Sequence, residues 1–233
     1  MNGECPKQLN ILFIGNSLTA WNKGVGYHFE KLANSDNSGC PGIPVKTTSV
    51  TVSGVSLKYL WLFSIAREKI KTGKYHVVVL QEDLPETTVE NFKKYTGLFY
   101  RECKAHGAKP VLFMTWPYNR LDRISLEEIY QAHLDITADL SIDFAPVGLL
   151  MDRIKTDRPE LSLLAKDGEH PSISGTYLAA ASLFHIIFKT NPVDFSYFPE
   201  SAGLSKTDAD YLRRCAGLPM PSPPKQQRPK NNH

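Results

Sequence analysis

The sequence predicts a three-layer α/β/α sandwich built on a central, mainly parallel sheet of five strands. Short apolar runs of strand length recur along the chain, and longer stretches with helical spacing separate them. This is the pattern of parallel strands joined by crossover helices. With 233 residues, the chain is long enough to bury one sizeable core. We therefore expect a single domain over residues 1–218.

Each element of this sandwich has a candidate segment. The predicted strands are residues 11–14, 45–52, 76–80, 110–115 and, more weakly, 142–147. The predicted helices are residues 57–70, 92–103, 126–140 and 174–189. In each helix the apolar side chains recur near a period of 3.6 residues, which predicts one buried face against the sheet.

Composition and charge exclude several classes of protein. Hydrophobic residues make up 42% of the chain and charged residues 22%, which are ordinary values for a globular protein. The net charge of +3 is too small to indicate a nucleic-acid partner. No apolar stretch reaches the ~18 residues of a transmembrane helix, so no transmembrane segment is expected. No secretory leader precedes the first strand, and this favours a cytoplasmic location. The alternative is a leader that has been removed from a precursor.

The cysteines and histidines form no motif typical of a metal or redox site. Cys5, Cys40, Cys103 and Cys215 are widely spaced, and four free thiols are favoured over two disulfides. No pair of histidines has the spacing and the neighbouring carboxylates of a metal site. We expect neither a metal ion nor an organic cofactor, and the oligomeric state is open.

The last part of the chain differs in composition from the rest. Residues 219–233 are rich in proline and end with basic and amide side chains. Such a segment has too little apolar surface to bury, which predicts a disordered tail. Its basic residues suit either plain solvation or contact with an anionic surface.

Chemically versatile side chains follow the predicted strands. In open parallel sheets, ligands bind outside the carboxyl ends of the strands, so these positions converge on one edge. The candidate residues there are Ser17, Gly54, Gln81, Asp83, Trp116, Tyr118 and Asn119, with Asp167 and His170 just before the last helix. The sequence therefore predicts a site at this edge.

Three of these residues have the chemistry of an acyl transfer. Ser17 stands in a turn after the first strand, where a serine also serves to cap a helix. Asp167 precedes His170 by three residues, so one loop can present both, although the aspartate can also simply organise the turn. In the functional interpretation His170 is the general base toward Ser17 and then the general acid, and Asp167 orients its ring. Glu169 is a weaker rival for that orienting role.

The motifs around these residues resemble those of the SGNH hydrolases, also called GDSL-like lipases or esterases, over residues 9–190. Gly15-Asn16-Ser17-Leu18 is similar to the first block of the family, with Asn where Asp is commonest. Asp167-x-x-His170 matches the last block. Residues 53–57 are similar to the second. The resemblance implies a flavodoxin-like SGNH fold, a catalytic triad of these residues, and an oxyanion hole that includes the N–H groups of Ser17 and Gly54.

The third block departs from the family pattern. SGNH enzymes usually have Gly-x-Asn-Asp there, and the Asn side chain donates to the oxyanion. Residues 80–85 contain no Asn, and they resemble a subgroup with Leu-Gln-Glu-Gln-Ser in this place and a Thr-Trp pair after the fourth strand. Gln81 is then the best remaining amide donor. Asp83 is less suitable, because an ionised carboxylate repels an oxyanion and only its protonated form can donate.

The resulting hypothesis is a serine esterase that acts on a short acyl ester, with an acetyl group on a carbohydrate or a small molecule as the expected substrate. Trp116, Tyr118 and Asn119 are candidates for lining its pocket by stacking on a sugar or packing on an acyl chain, and core packing is the alternative. The same two alternatives, pocket lining and core packing, apply to Trp21 and Asn22, which follow the serine. An acyltransferase with the same acyl-enzyme and a non-catalytic binding module stay open.

Overall fold

Five parallel strands form the central sheet of the computed structural model, which describes residues 7–35, 42–118, 120–121 and 123–219. They are β1 (Leu9–Gly15), β2 (Val45–Thr51), β3 (Val77–Gln81), β4 (Lys109–Phe113) and β5 (Asp143–Ala145). Their order in the sheet is β2-β1-β3-β4-β5, and every pair is parallel. With helices on both faces, the predicted α/β/α sandwich is confirmed.

The helices follow the strands in alternation. They are α1 (Ser17–Ala20), α2 (Val25–Ala33), α3 (Leu57–Phe63), α4 (Ala66–Thr72), α5 (Val89–Ala105), α6 (Leu126–Leu140), α7 (Val147–Asp157), α8 (Ile173–Phe188) and α9 (Lys206–Ala216). Two short 3₁₀ helices span Leu84–Glu86 and Glu200–Ala202. Within the described ranges, no helix combines the length and the hydropathy needed to cross a membrane.

A hydrophobic core fills each side of the sheet. Alternate residues of β1 point to opposite sides, so Ile11 and Phe13 join one core while Leu12 and Ile14 join the other. The first core packs α2, α7, α8 and α9 against the sheet, and the second packs α3 to α6. Every residue of β3 is buried, as expected for a central strand covered on both faces.

The stretch predicted as one helix over residues 57–70 is two helices, so that prediction is wrong in its extent. Ser64, between α3 and α4, has extended backbone angles. Its hydroxyl donates to the carbonyl of Leu60 and accepts from the N–H of Ala66. A serine that bonds to the backbone on both sides ends one helix and starts the next, because its side chain replaces the helical hydrogen bonds.

The weak strand predicted over residues 142–147 is shorter in the structure. Pro146 follows β5 directly, and Val147 already begins α7. The backbone of Gly148 packs so closely on the end of β4 that a Cβ atom there would lie 2.2 Å from the carbonyl oxygen of Thr115. Four helices, α1, α2, α7 and α9, have no counterpart among the predicted helices.

Two other predictions fall mostly outside the described residues. Most of the proline-rich tail, from residue 220 on, lies there, as do Cys5 and Cys40. Cys103 and Cys215 are buried and form no disulfide in the part of the chain that the structure describes. Burial raises the pKa of the Cys103 thiol to about 12, so this cysteine stays protonated.

Candidate active site

The segment that presents Ser17 is a tight passage from β1 into α1. Asn16 is the N-cap of α1, and its side-chain oxygen accepts from the N–H of Leu18 at 3.0 Å. Gly15 is required there, because a Cβ atom would lie 2.5 Å from both Gln81 Oε1 and Thr19 Oγ1. Ser17 is therefore the first helical residue, and its position is fixed by the residues on both sides.

Ser17, His170 and Asp167 form a continuous chain of hydrogen bonds. His170 Nε2 lies 3.0 Å from Ser17 Oγ, and His170 Nδ1 lies 2.9 Å from Asp167 Oδ2. These distances match those of a nucleophile, a base and a group that orients the base. The structure thus brings together three residues that the sequence singled out from opposite ends of the domain.

Asp167 also organises the turn that carries it. Its Oδ1 accepts from the N–H groups of Glu169 and His170, both at 2.9 Å. Gly168 has a positive φ of 69°, which favours glycine and closes the turn. The N–H of Glu169 and the bonds from His170 lower the pKa of Asp167, so the carboxylate is ionised. The structural and functional roles considered for this aspartate are therefore compatible.

The segment after the serine holds the His170 loop from the other side. The indole of Trp21 stacks on the imidazole of His170. Asn22 Nδ2 donates to the carbonyl of Pro171 and to Thr176 Oγ1, each at 2.9 Å. His28 in turn bonds to the carbonyl of Asn22 through Nε2 at 2.8 Å, and burial lowers the pKa of His28, which keeps it neutral. Sequence spacing did not indicate this support.

Two backbone N–H groups in the turns after β1 and β2 lack a hydrogen-bond partner within the described residues. Among the described residues, the N–H groups of Ser17 and Gly54 make no hydrogen bond. Gly54 is exposed, has a positive φ of 66°, and has open space where a side chain would be. Free N–H groups beside a nucleophile are the usual components of an oxyanion hole.

Gln81, the favoured third donor from the sequence, faces the protein. Its Oε1 accepts from the N–H of Asn16 and from Thr19 Oγ1, both at 2.9 Å. Its Nε2 is buried and has no partner within the described residues. An amide nitrogen closed off in this way is out of reach of a substrate in the cleft, so this geometry does not support the donor role expected for Gln81.

The two acidic residues after Gln81 are buried acceptors. Asp83 accepts from Asn16 Nδ2 at 2.8 Å and from the Tyr118 hydroxyl at 3.0 Å. Glu82 Oε1 accepts from the N–H groups of Leu57 and Asp83. Burial raises the pKa of Glu82 to about 7 and that of Asp83 to about 6, because the protein interior solvates a carboxylate poorly.

The residues expected to line a substrate pocket lie beside the triad loop. Trp116 Nε1 donates to the carbonyl of Glu169 at 3.0 Å, while Tyr118 bonds to Asp83. Both aromatic residues are 3% exposed, so they pack as a wall and offer no open stacking surface. They border a cavity of about 810 Å³ whose other side includes residues 161–164. Asn119 lies outside the described residues.

One further contact spans the loops around the site. Arg120 pairs with Glu169 at 2.8 Å and also with Glu86, so it joins the His170 loop to the segment after β3. Sequence reasoning did not single out Arg120, and only the excess of acidic residues in these two loops indicates it. Within the described ranges, no cluster of three histidine, cysteine or acidic side chains suits a metal ion.

Comparison with known proteins finds this fold in several solved structures. No protein-family model and no curated protein matches the sequence. A DUF4886 family protein from Bacteroides uniformis matches the structure with a TM-score of 0.73 and 15% identity, over 90% of this chain and 93% of that chain. A proposed SGNH hydrolase from Slackia heliotrinireducens matches with a TM-score of 0.62 and 25% identity, over 77% and 98%.

A third similar structure is a variant of an acetyl-xylooligosaccharide esterase from Geobacillus stearothermophilus. Its TM-score is 0.62 and its identity 17%, over 77% of this chain and 94% of that chain. Likeness at such low identity establishes the architecture. The chemistry has to be argued from the site itself.

Proposed function

We propose that this chain, whose fold is that of the SGNH hydrolases, is a serine esterase with Ser17 as its nucleophile. The observation that carries the proposal is the unbroken chain of hydrogen bonds from Ser17 Oγ through the His170 ring to Asp167. A serine is a weak nucleophile at neutral pH, and a histidine in direct contact is the usual means of activating it.

The proposed reaction has two halves. In the first, Ser17 Oγ attacks the ester carbonyl while His170 Nε2 takes the hydroxyl proton. The tetrahedral intermediate collapses, the alcohol leaves with that proton, and the acyl group stays on Ser17. In the second, a water molecule gives its proton to His170 and attacks the acyl-enzyme, which releases the acid and returns the proton to Ser17.

Charge forms at two places during this reaction. The carbonyl oxygen becomes an oxyanion, and the free N–H groups of Ser17 and Gly54 are its proposed donors. The imidazole of His170 becomes cationic, and the ionised Asp167 bonded to Nδ1 stabilises it. The proposed mechanism uses no metal ion and no organic cofactor.

The proposed substrate is an ester of a short acyl group, with acetate on a carbohydrate or a small alcohol as the leading case. Support comes from the named activities of the similar structures, which include esterases of acetylated xylan and its oligosaccharides. The cavity beside Trp116 and Tyr118 is the proposed space for the rest of the substrate. Its lining is mostly apolar, and Asp152 and Lys155 within it are the proposed contacts for a polar leaving group.

A fluorophosphonate probe tests the nucleophile directly. We expect the probe to label the protein at Ser17, Ser17→Ala to abolish labelling, and Ser201→Ala, at an exposed serine, to keep it. Hydrolysis of p-nitrophenyl acetate should exceed that of the octanoate ester in kcat/KM. A folded protein that does not label would exclude the esterase and favour a binding module, whereas faster turnover with an added alcohol would favour an acyltransferase.

A further inference from the structure

Three consecutive residues at the end of β3 contact the residue before Ser17 and the start of α3, which follows the loop that carries Gly54. We propose that Gln81, Glu82 and Asp83, here called the β3 clamp, are positioning residues that hold the N–H groups of Ser17 and Gly54 in place and do not themselves bind the oxyanion. This inference rests on the proposed function, and it assigns the unusual third block a role different from that of an amide donor.

The clamp fixes the first loop through Asn16. The backbone N–H of Asn16 donates to Gln81 Oε1, and its side-chain Nδ2 donates to Asp83 Oδ2. Since Asn16 Oδ1 already accepts from Leu18, both ends of the side-chain amide and the backbone N–H have partners. The residue immediately before Ser17 can neither rotate nor shift without breaking one of these bonds, so the adjoining N–H of Ser17 keeps its direction.

The clamp fixes the second loop at the start of α3. Ser56 is the N-cap of α3 but makes no side-chain capping bond. Glu82 Oε1 accepts from the N–H of Leu57 at 3.1 Å and thus caps this helix from another strand. Asn16 Nδ2 also approaches the carbonyl of Val55 at 3.3 Å. Gly54 stands next to this anchored segment, and its own conformation would otherwise be free.

The bonding of the clamp argues against a direct donor role. Within the described residues, these three side chains act only as hydrogen-bond acceptors. Their oxygens accept from N–H or O–H groups of other residues. The one amide donor among them, Gln81 Nε2, is buried, as is the second oxygen of Glu82. Both oxygens of Asp83 are engaged, one by Asn16 and the other by Tyr118. The oxygens of these side chains thus accept from protein groups, and the amide nitrogen of Gln81 is closed off from the cleft.

A clamp of this kind acts on the transition state more than on substrate binding. Oxyanion donors must already be aimed at the oxygen before charge develops, and small misplacements remove most of their effect. Loosening the loops should lower kcat and leave KM nearly unchanged, since the ground-state ester depends little on these bonds.

Two substitutions at Gln81 separate positioning from donation. Gln81→Glu keeps an oxygen for Asn16 and Thr19 but removes the amide N–H, whereas Gln81→Leu removes both. The proposal expects kcat of Gln81→Glu to exceed that of Gln81→Leu at least tenfold, with KM values within about threefold of each other. If Gln81 donates to the oxyanion, both variants lose a similar factor of about 10² to 10³, and the proposal is overturned.

A reciprocal exchange provides a second test that does not depend on Gln81. Asn16→Asp places two carboxylates in contact, so we expect a lower Tm and a kcat reduced at least thirtyfold. Adding Asp83→Asn restores a donor and an acceptor across the same contact, because the amide introduced at position 83 would donate to the carboxylate introduced at position 16. The double variant should recover most of the lost Tm and kcat.

The outcomes distinguish this inference from the proposed function. A double variant no better than Asn16→Asp in Tm would show that the contact does not hold the loop. Recovery of Tm without recovery of kcat or of the rate of fluorophosphonate labelling would show that the contact is structural only. Either result overturns the clamp. Failure of the wild-type protein to label would instead overturn the esterase, while the Tm comparison would still report the contact.

Discussion

The indole of Trp21 lies nearly parallel to the imidazole of His170, with ring centroids 4.1 Å apart and planes inclined by 22°. The edge of the imidazole is held at both nitrogens, by Ser17 and by Asp167. Trp21 covers one face and thus limits rotation of the ring out of the plane of those bonds. Since Trp21 is 41% exposed, it also forms part of the surface that an arriving substrate meets.

Trp21→Ala should lower kcat/KM for p-nitrophenyl acetate about three- to tenfold, because an aromatic stack contributes roughly 0.5 to 1.5 kcal/mol beyond burial. Trp21→Phe should retain most of the activity. Phe63→Ala, at an aromatic residue that is 71% exposed and packs on the ring of Tyr59, is the matched control. Equal losses in the alanine variants at positions 21 and 63 would mean that the stack on His170 is unimportant.

Asp167→Asn should reduce kcat by roughly 10² to 10⁴, and by less than Ser17→Ala or His170→Ala. The amide keeps an acceptor for the turn but presents an N–H to His170 Nδ1, which disfavours the productive tautomer. Glu169→Gln is the matched control, since that carboxylate pairs with Arg120. We expect its kcat to fall less than fivefold. A larger loss in Glu169→Gln than in Asp167→Asn would reverse the assignment of the orienting carboxylate.

Glu82 should make the protein less stable as the pH rises. Burial raises its pKa from the ordinary 4.5 to about 7, so the folded state holds the proton more tightly than the unfolded chain. The free energy of unfolding therefore falls between pH 4.5 and 7, by up to about 3 kcal/mol from this residue. Glu82→Gln, which keeps an oxygen for Leu57 and Asp83, should remove this part of the slope in urea unfolding. If the free energies of unfolding of the wild-type protein and Glu82→Gln differ by the same amount at every pH in this range, the prediction is contradicted.

His133 should have the opposite effect. Its Nδ1 donates to the carbonyl of Ile129, its ring packs between Phe92 and Phe144, and complete burial lowers its pKa from 6.5 to about 4. The unfolded chain then binds the proton more tightly, so stability is lost as the pH falls from 6.5 toward 4. His133→Gln should flatten this acid slope, while His106→Gln, at an exposed histidine, should not. Parallel slopes for wild type and His133→Gln would refute a neutral, buried His133.

The fold was predictable where one physical signal dominated. The apolar runs identified all five strands: β3 is buried throughout and apolar except for Gln81, and each of the other strands contributes apolar residues to the two cores. The break at Ser64 was not predictable, since the apolar period continues across it and only the hydrogen bonds of the side chain reveal it. Helix α9 was missed because its sequence is largely charged, with a narrow buried stripe that includes Leu212.

The site was predictable in composition and much less in orientation. Residue types and spacing singled out Ser17, Asp167 and His170, which the structure joins in one chain of hydrogen bonds. The same reasoning favoured Gln81 as a donor, but the direction of its amide depends on the space left by Gly15 in the neighbouring strand. That relation between adjacent strands has no signature in the spacing of residues along the chain.

Asp167 and His170 stand three residues apart in one turn, whereas Ser17 lies 153 residues away from His170. The acid–base pair is thus a local structure that can persist in a partly unfolded chain, while its contact with the serine exists only when both ends of the domain have come together. Reactivity of Ser17 toward a covalent probe would therefore serve as a sensor of assembly, and on heating it should vanish at the first separation of β1 from the segment before α8.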